Sequence, residues 1–98
     1  MSASGKVAVL GGGAFGTAMA THLGTKGYDV SIWVMETDVC ASINDKHENS
    51  TFLPGIPLHT KVTATNSVTQ AVENARLILL VIPTPFIGRW VAEHQTLL

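Results

Sequence analysis

With a single cysteine, Cys40, the chain can form no internal disulfide. Its chemistry suits a reducing setting, the cytoplasm or another reducing organelle lumen. Charge is scarce as well: six Lys and Arg against seven Asp and Glu leave a net charge of −1. Nucleic acid and anionic membrane surfaces are drawn to a basic excess that this chain does not have. No apolar run approaches the ~20 residues of a membrane helix; the longest extends only from Leu77 to Pro83. Residues 1–5, Met-Ser-Ala-Ser-Gly, have neither a basic nor an apolar segment, so they read as a disordered leader without a secretion signal. Without secretion the acceptor pattern Asn49-Ser50-Thr51 carries no meaning for glycosylation. His22, His59 and His94 fall at no metal-ligand spacing and have no triad partners, so neither a metal site nor a nucleophilic site is expected. Cys40 reads as a packed core thiol because no basic residue lies near it in sequence, and Arg76, Arg89 and Lys61 read as solvated.

What the sequence does have is 46 % apolar residues in 98, enough for one small domain with a core. Residues 7–20 read Val-Ala-Val-Leu-Gly-Gly-Gly-Ala-Phe-Gly-Thr-Ala-Met-Ala, an apolar strand entering Gly11-x-Gly13-x-x-Gly16 and then small, helix-compatible residues. A strand that turns at once into a helix leaves backbone N–H groups unpaired, aimed with the helix dipole at a phosphate or pyrophosphate. Gly11 allows the tight turn, Gly13 lets the backbone approach the pyrophosphate, and Gly16 lets the helix pack closely on the strand. A dinucleotide site also needs a second strand ending in an acid about 20 residues on. Tyr28 to Val34 supplies the strand and Glu36 follows it. Glu36 reads equally as a ribose ligand or as an acidic helix-entry residue. Positions 34–39 hold no Arg or Lys to neutralise a 2′-phosphate, which points to NAD rather than NADP.

Further along, strands and helices alternate. A first helix from Ala14 to about Lys26 places Phe15, Met19 and Leu23 on one stripe that should be buried, with Gly27 as its terminating glycine. A strand at Asp29–Val34 leads to a helix at Thr37–Lys46 with Val39 and Ile43 inward. The segment from His47 to Thr60, punctuated by Asn49, Ser50, Pro54, Gly55 and Pro57, is a long irregular connection of the kind that is functional or closely packed. A strand at Lys61–Thr65 and a helix at Val68–Ala75 capped by Ser67 follow. Leu77 to Ile82 is a continuous apolar strand, Pro83-Thr84-Pro85 ends it, and a further helix starts at Phe86. This alternation predicts an α/β, doubly wound parallel sheet of Rossmann type in the strand order 3-2-1-4, with the ligand at the carboxyl ends of strands one and four. The loop at 83–86 would then lie beside the glycine loop, with Phe86 either against the cofactor or in the core.

Three segments carry a resemblance: Gly11-Gly12-Gly13-Ala14-Phe15-Gly16-Thr17-Ala18, then Ile43 to Asn49 with Phe52-Leu53-Pro54-Gly55, and Val81-Ile82-Pro83-Thr84-Pro85-Phe86-Ile87. Together they resemble the NAD-dependent glycerol-3-phosphate dehydrogenases, from about Lys6 to about Trp90. The resemblance implies reduction of dihydroxyacetone phosphate to glycerol 3-phosphate with NADH, reversibly, in an enzyme that is commonly a homodimer. It implies NAD contacts at Gly11, Gly12, Gly13, Ala14, Phe15 and Gly16, at Met35 beside the adenine, and at Phe86. No Lys or Arg here matches the family's active-site lysines, so residues 6–98 read as an incomplete NAD-binding domain without the helical substrate domain and without catalytic residues. Lys46 and His47 are assigned to packing or surface. Another dehydrogenase of the same superfamily, or a dinucleotide-binding module without catalysis, are the alternatives.

Overall fold

In the computed structural model residues 5–82 and 84–97 are described, without the side chains of 84–86 and 97. The elements are β1 (Lys6–Leu10), α1 (Ala14–Thr25), β2 (Asp29–Trp33), α2 (Thr37–Lys46), β3 (Val62–Thr65), α3 (Val68–Val72), β4 (Leu77–Leu80) and α4 (Thr84–His94), followed by a 3-10 turn at Gln95–Leu97. The expected leader lies outside the described residues except for Gly5.

The strands form one sheet in the order β3-β2-β1-β4, and every pairing is parallel, with Val7 level with Val30 on one side and Leu77 on the other. Alternate side chains of a strand face opposite ways, and here they feed two separate cores. Val7, Val9, Val30, Ile32 and Val62 meet Ala20 of α1 and Val39 and Ile43 of α2. Ala8 and Leu10 meet Val68 and Ala71 of α3 and Trp90 of α4. Helices thus cover both faces of the sheet, which is the doubly wound Rossmann-type arrangement anticipated from the alternation. Each fully buried Val, Leu or Ile contributes about 1.5–3 kcal/mol relative to exposure.

Local signals end the helices. Gly27 adopts φ +102° and its N–H returns to Gly24 O at 3.0 Å. His47 adopts a left-handed φ of 52° at the end of α2. The Ser67 side chain accepts the Gln70 N–H at 3.2 Å and so caps α3. Lys6 Nζ donates to Gln70 O at 2.9 Å and Glu73 O at 2.8 Å, placing a cation on the carbonyl end of that helix, where the dipole favours it.

Several expectations are corrected. The buried face of α1 is Gly16, Thr17, Ala20 and Gly24; of the expected stripe Phe15, Met19, Leu23, only Leu23 packs against the core, partly buried, and Phe15 is 67 % exposed. The helix lies so close to the sheet that a methyl at Gly16 would collide with the Gly11 carbonyl oxygen. Small residues therefore take the inner face and large ones are displaced to its sides. The third helix stops at Val72 instead of Ala75, because Glu73 is extended and Asn74 is left-handed at φ 61°. The fourth strand ends at Leu80 instead of Ile82; as the order 3-2-1-4 requires, it pairs on one side alone, and Leu77 and Ile78 are 49 % and 38 % exposed. The last helix begins at Thr84, so 84–86 form its first turn rather than a loop. Pro83 lies outside the described residues. Lys61 and Arg89 are not merely solvated: Lys61 pairs with Asp29 and Arg89 with Glu93, each at 3.4 Å and exposed. Such pairs contribute ~0–1 kcal/mol.

Candidate cofactor site

In a doubly wound sheet the chain leaves strands one and four in opposite directions, and a crevice opens at their carboxyl ends. Here it is a cleft of about 1000 Å³. The glycine loop forms its floor, the turn after β2 and the end of β4 its sides, and α4 and the 47–60 connection contribute Trp90 and Phe52. That volume is at the top of the range usual for small-molecule sites.

The glycine loop is held between the strands it leaves. Gly11 N–H donates to Trp33 O, and Leu10 O accepts the Val81 N–H, both at 3.0 Å. Gly11 has φ +138°, and a Cβ there would stand 2.5 Å from the Val81 carbonyl oxygen, so only glycine fits. A Cβ on Gly13, in contrast, would meet nothing within 4 Å. Gly13 is the N-cap of α1 without any side-chain cap. Among the described residues no acceptor is found for the N–H groups of Gly13, Ala14, Phe15 and Gly16. Those four donors, with the helix dipole behind them, are suited to an anion.

The turn after β2 is fastened from the neighbouring connection. Asn66 Nδ2 donates to Val34 O at 2.9 Å and Glu36 O at 3.3 Å, and Trp33 Nε1 donates to Asn66 O at 3.0 Å. Met35, 73 % exposed, and Glu36 are thereby held at the cleft's rim. Glu36 is the N-cap residue of α2 without a side-chain cap bond; its carboxylate is available to a ligand's hydroxyls while also facing the helix dipole. Phe15 and Phe52 complete an apolar rim, a surface suited to a flat heterocycle. On the far side Trp33 and Trp90 meet at 5.7 Å between ring centroids, and His94 stacks on Trp90 at 4.2 Å. The Trp90 Nε1 is buried and has no acceptor among the described residues.

The expected residues Gly11, Gly12, Gly13, Ala14, Phe15, Gly16, Met35 and Glu36 thus converge on one cleft. The side chain of Phe86 lies outside the described residues. Among those described, no cluster of three or more His, Cys, Asp or Glu stands ready for a metal ion. Cys40 is half-buried against the first core, and burial, with the Asp45 charge second, pushes its thiol up from its ordinary value. That agrees with a packed, unreactive role. Sequence reasoning missed Asn49 and Thr17, both fully buried beneath the glycine loop. Asn49 Nδ2 donates to Gly12 O at 2.9 Å and to Thr17 Oγ1 at 2.8 Å, and its Oδ1 accepts the Phe52 N–H at 3.0 Å. A clue was present in the long irregular connection itself, which had to be anchored by something. Trp33, Trp90 and the Arg89–Glu93 pair were likewise not anticipated in the cleft.

Comparison with known proteins agrees with this geometry. The family described as NAD-dependent glycerol-3-phosphate dehydrogenase N-terminus matches residues 6–98. A glycerol-3-phosphate dehydrogenase of Alcanivorax borkumensis, named for NAD(P)+, is 44 % identical over 77 residues, covering 79 % of this chain and 22 % of the relative. One from Bacillus thuringiensis is 43 % identical over 79 residues, 81 % of this chain and 23 % of the relative. Among solved structures, the glycerol-3-phosphate dehydrogenase of Coxiella burnetii superposes with a TM-score of 0.88 at 27 % identity, covering 97 % of this chain and 29 % of that one. The Saccharomyces cerevisiae enzyme gives 0.81 at 30 % identity, with 94 % and 30 % covered. The chain therefore spans less than a third of the length of these relatives.

Proposed function

The chain belongs to the family of NAD-dependent glycerol-3-phosphate dehydrogenase N-termini, and from that premise we propose that it is the cofactor-binding part of an oxidoreductase interconverting dihydroxyacetone phosphate and glycerol 3-phosphate with NADH and NAD. The observation that carries the reading is the open row of N–H donors at Gly13–Gly16, set in the cleft at the carboxyl ends of β1 and β4. When bound, the dinucleotide supplies the hydride; the protein's share is to hold and orient it. The Gly13–Gly16 amides would take the pyrophosphate, Met35 and the neighbouring apolar rim the adenine, and Glu36 a ribose hydroxyl. By family resemblance Phe86 would contribute another wall. Residues 34–39 offer no cation to a 2′-phosphate, which favours NAD over NADP.

Residues 6–98 then form the NAD-binding domain of a longer, homodimeric enzyme working in a reducing compartment, with nucleic acid no partner. The carbonyl-polarising cation would come from outside these residues, since no Lys or Arg here matches the family's active-site lysines. No helix among the described residues is long and apolar enough to cross a membrane. The test is loss of NADH absorbance by the protein carrying this chain when dihydroxyacetone phosphate is added, with slower loss when NADPH replaces NADH. No oxidation by a protein that binds NADH would refute the substrate assignment. Calorimetric titration of the chain alone with NADH should show weak binding, because β4 is unpaired along one edge and exposes Leu77 and Ile78. Tight binding would favour a stand-alone module.

A further inference from the structure

Asn49 does not itself line the cleft, yet it holds the peptide that does. Its carboxamide is fully buried and completely engaged: both N–H bonds are spent on Gly12 O and Thr17 Oγ1, and its oxygen receives Phe52 N–H. Thr17, also fully buried, adds a long 3.4 Å bond from its hydroxyl to the same Gly12 oxygen. The Gly12 carbonyl is therefore pulled inward by two side chains. In a trans peptide the C=O and the following N–H point in opposite directions, and the described chain contains no cis bond. Drawing the Gly12 oxygen into the protein consequently turns the Gly13 N–H outward, to the side where Gly13 lines the cleft and a Cβ would find open space. Without the anchor this glycine-rich peptide could flip, and a carbonyl oxygen would face an incoming anion.

We infer that Asn49, supported by Thr17, is a positioning residue that sets the Gly12–Gly13 peptide for pyrophosphate binding and, through Phe52 N–H, ties the aromatic rim of the cleft to the same setting. This rests on the cofactor reading above. It requires that affinity for ligands with a pyrophosphate depend on Asn49 while affinity for the nucleoside does not.

The experiment is a fluorescence titration of the protein carrying this chain with NADH, with adenosine diphosphate and adenosine as competitors, for wild type, Asn49→Asp and Thr17→Val, at a temperature where melting curves show all proteins folded. Asn49→Asp keeps an acceptor for Phe52 N–H but sets a carboxylate oxygen against the Gly12 carbonyl. It should weaken NADH and adenosine diphosphate about tenfold, the loss of one hydrogen bond of ordinary strength, and leave adenosine unchanged. Thr17→Val, which preserves volume and removes one support, should weaken the same two ligands by about threefold, and it decides the matter if Asn49→Asp does not fold. Unchanged NADH affinity in a folded variant, or equal weakening of adenosine, overturns the inference while leaving the cofactor reading intact. A wild-type protein carrying this chain that binds none of the three ligands overturns both.

Discussion

Replacing helical glycines by alanine should give opposite signs at positions that helix propensity treats alike. On propensity alone Gly to Ala inside a helix stabilises by about 1 kcal/mol. In α4, Gly88 has nothing within 4 Å of a built Cβ and is exposed, so Gly88→Ala should gain most of that, raising Tm by roughly 5 °C for a domain this size. Gly24 in α1 would bring its methyl to 3.0 Å from His59 Cβ and 3.3 Å from the ring. The ring is tied to the Lys61 N–H at 3.1 Å, so the gain and the crowding should roughly cancel. At Gly16 the added methyl would strike the Gly11 carbonyl oxygen, with Gly11 C at 3.1 Å and Val81 Cγ2 at 3.3 Å beyond it. Backbone cannot rotate aside, so α1 must lift from the glycine turn. Overpacking costs about 1–3 kcal/mol; with the upper figure and the propensity gain offset, a net loss of about 2 kcal/mol remains, a fall in Tm of roughly 10 °C. Thermal unfolding followed by circular dichroism checks all three. A Gly16→Ala protein as stable as wild type would refute the steric reasoning, because it would mean the helix does not press on the turn.

Met35→Arg should add the missing cation at the rim beside Glu36 and strengthen NADPH binding about tenfold relative to NADH, an order typical of one charge-assisted contact; an unchanged preference in titrations of both cofactors would show that the adenine ribose is not there. Cys40 should react with iodoacetamide several-fold more slowly at mildly alkaline pH in the folded than in the unfolded chain, since burial and Asp45 hold its thiol protonated. The same raised value means the folded state keeps this proton more tightly than the unfolded one. Its contribution to stability is full at neutral pH and declines as pH rises through the thiol's range, a decline that Cys40→Ala should abolish in denaturant titrations across pH.

Much of the fold was legible because local pattern and global topology agree. Apolar strands alternating with helical segments, terminators such as Gly27 and a cap such as Ser67 led to the parallel order β3-β2-β1-β4 that is observed. The glycine loop was legible for the same reason: its meaning depends on a strand before it and a helix after it, both close in sequence. The buried face of α1 was not, because periodicity ranks residues by apolarity, while the distance between helix and sheet ranks them by size. There Gly16, Ala20 and Gly24 outcompeted Phe15 and Met19.

The sequence by itself determined which segments pair, where the chain turns, and that the glycine loop leaves backbone amides free for an anion, since each depends on covalent limits and neighbours a few residues away. The tertiary structure alone decided that Asn49, 37 residues from Gly12, orients the loop and that Trp33 and Trp90 wall the cleft. Those outcomes depend on contacts between residues distant in sequence, whose closeness only the packed chain creates.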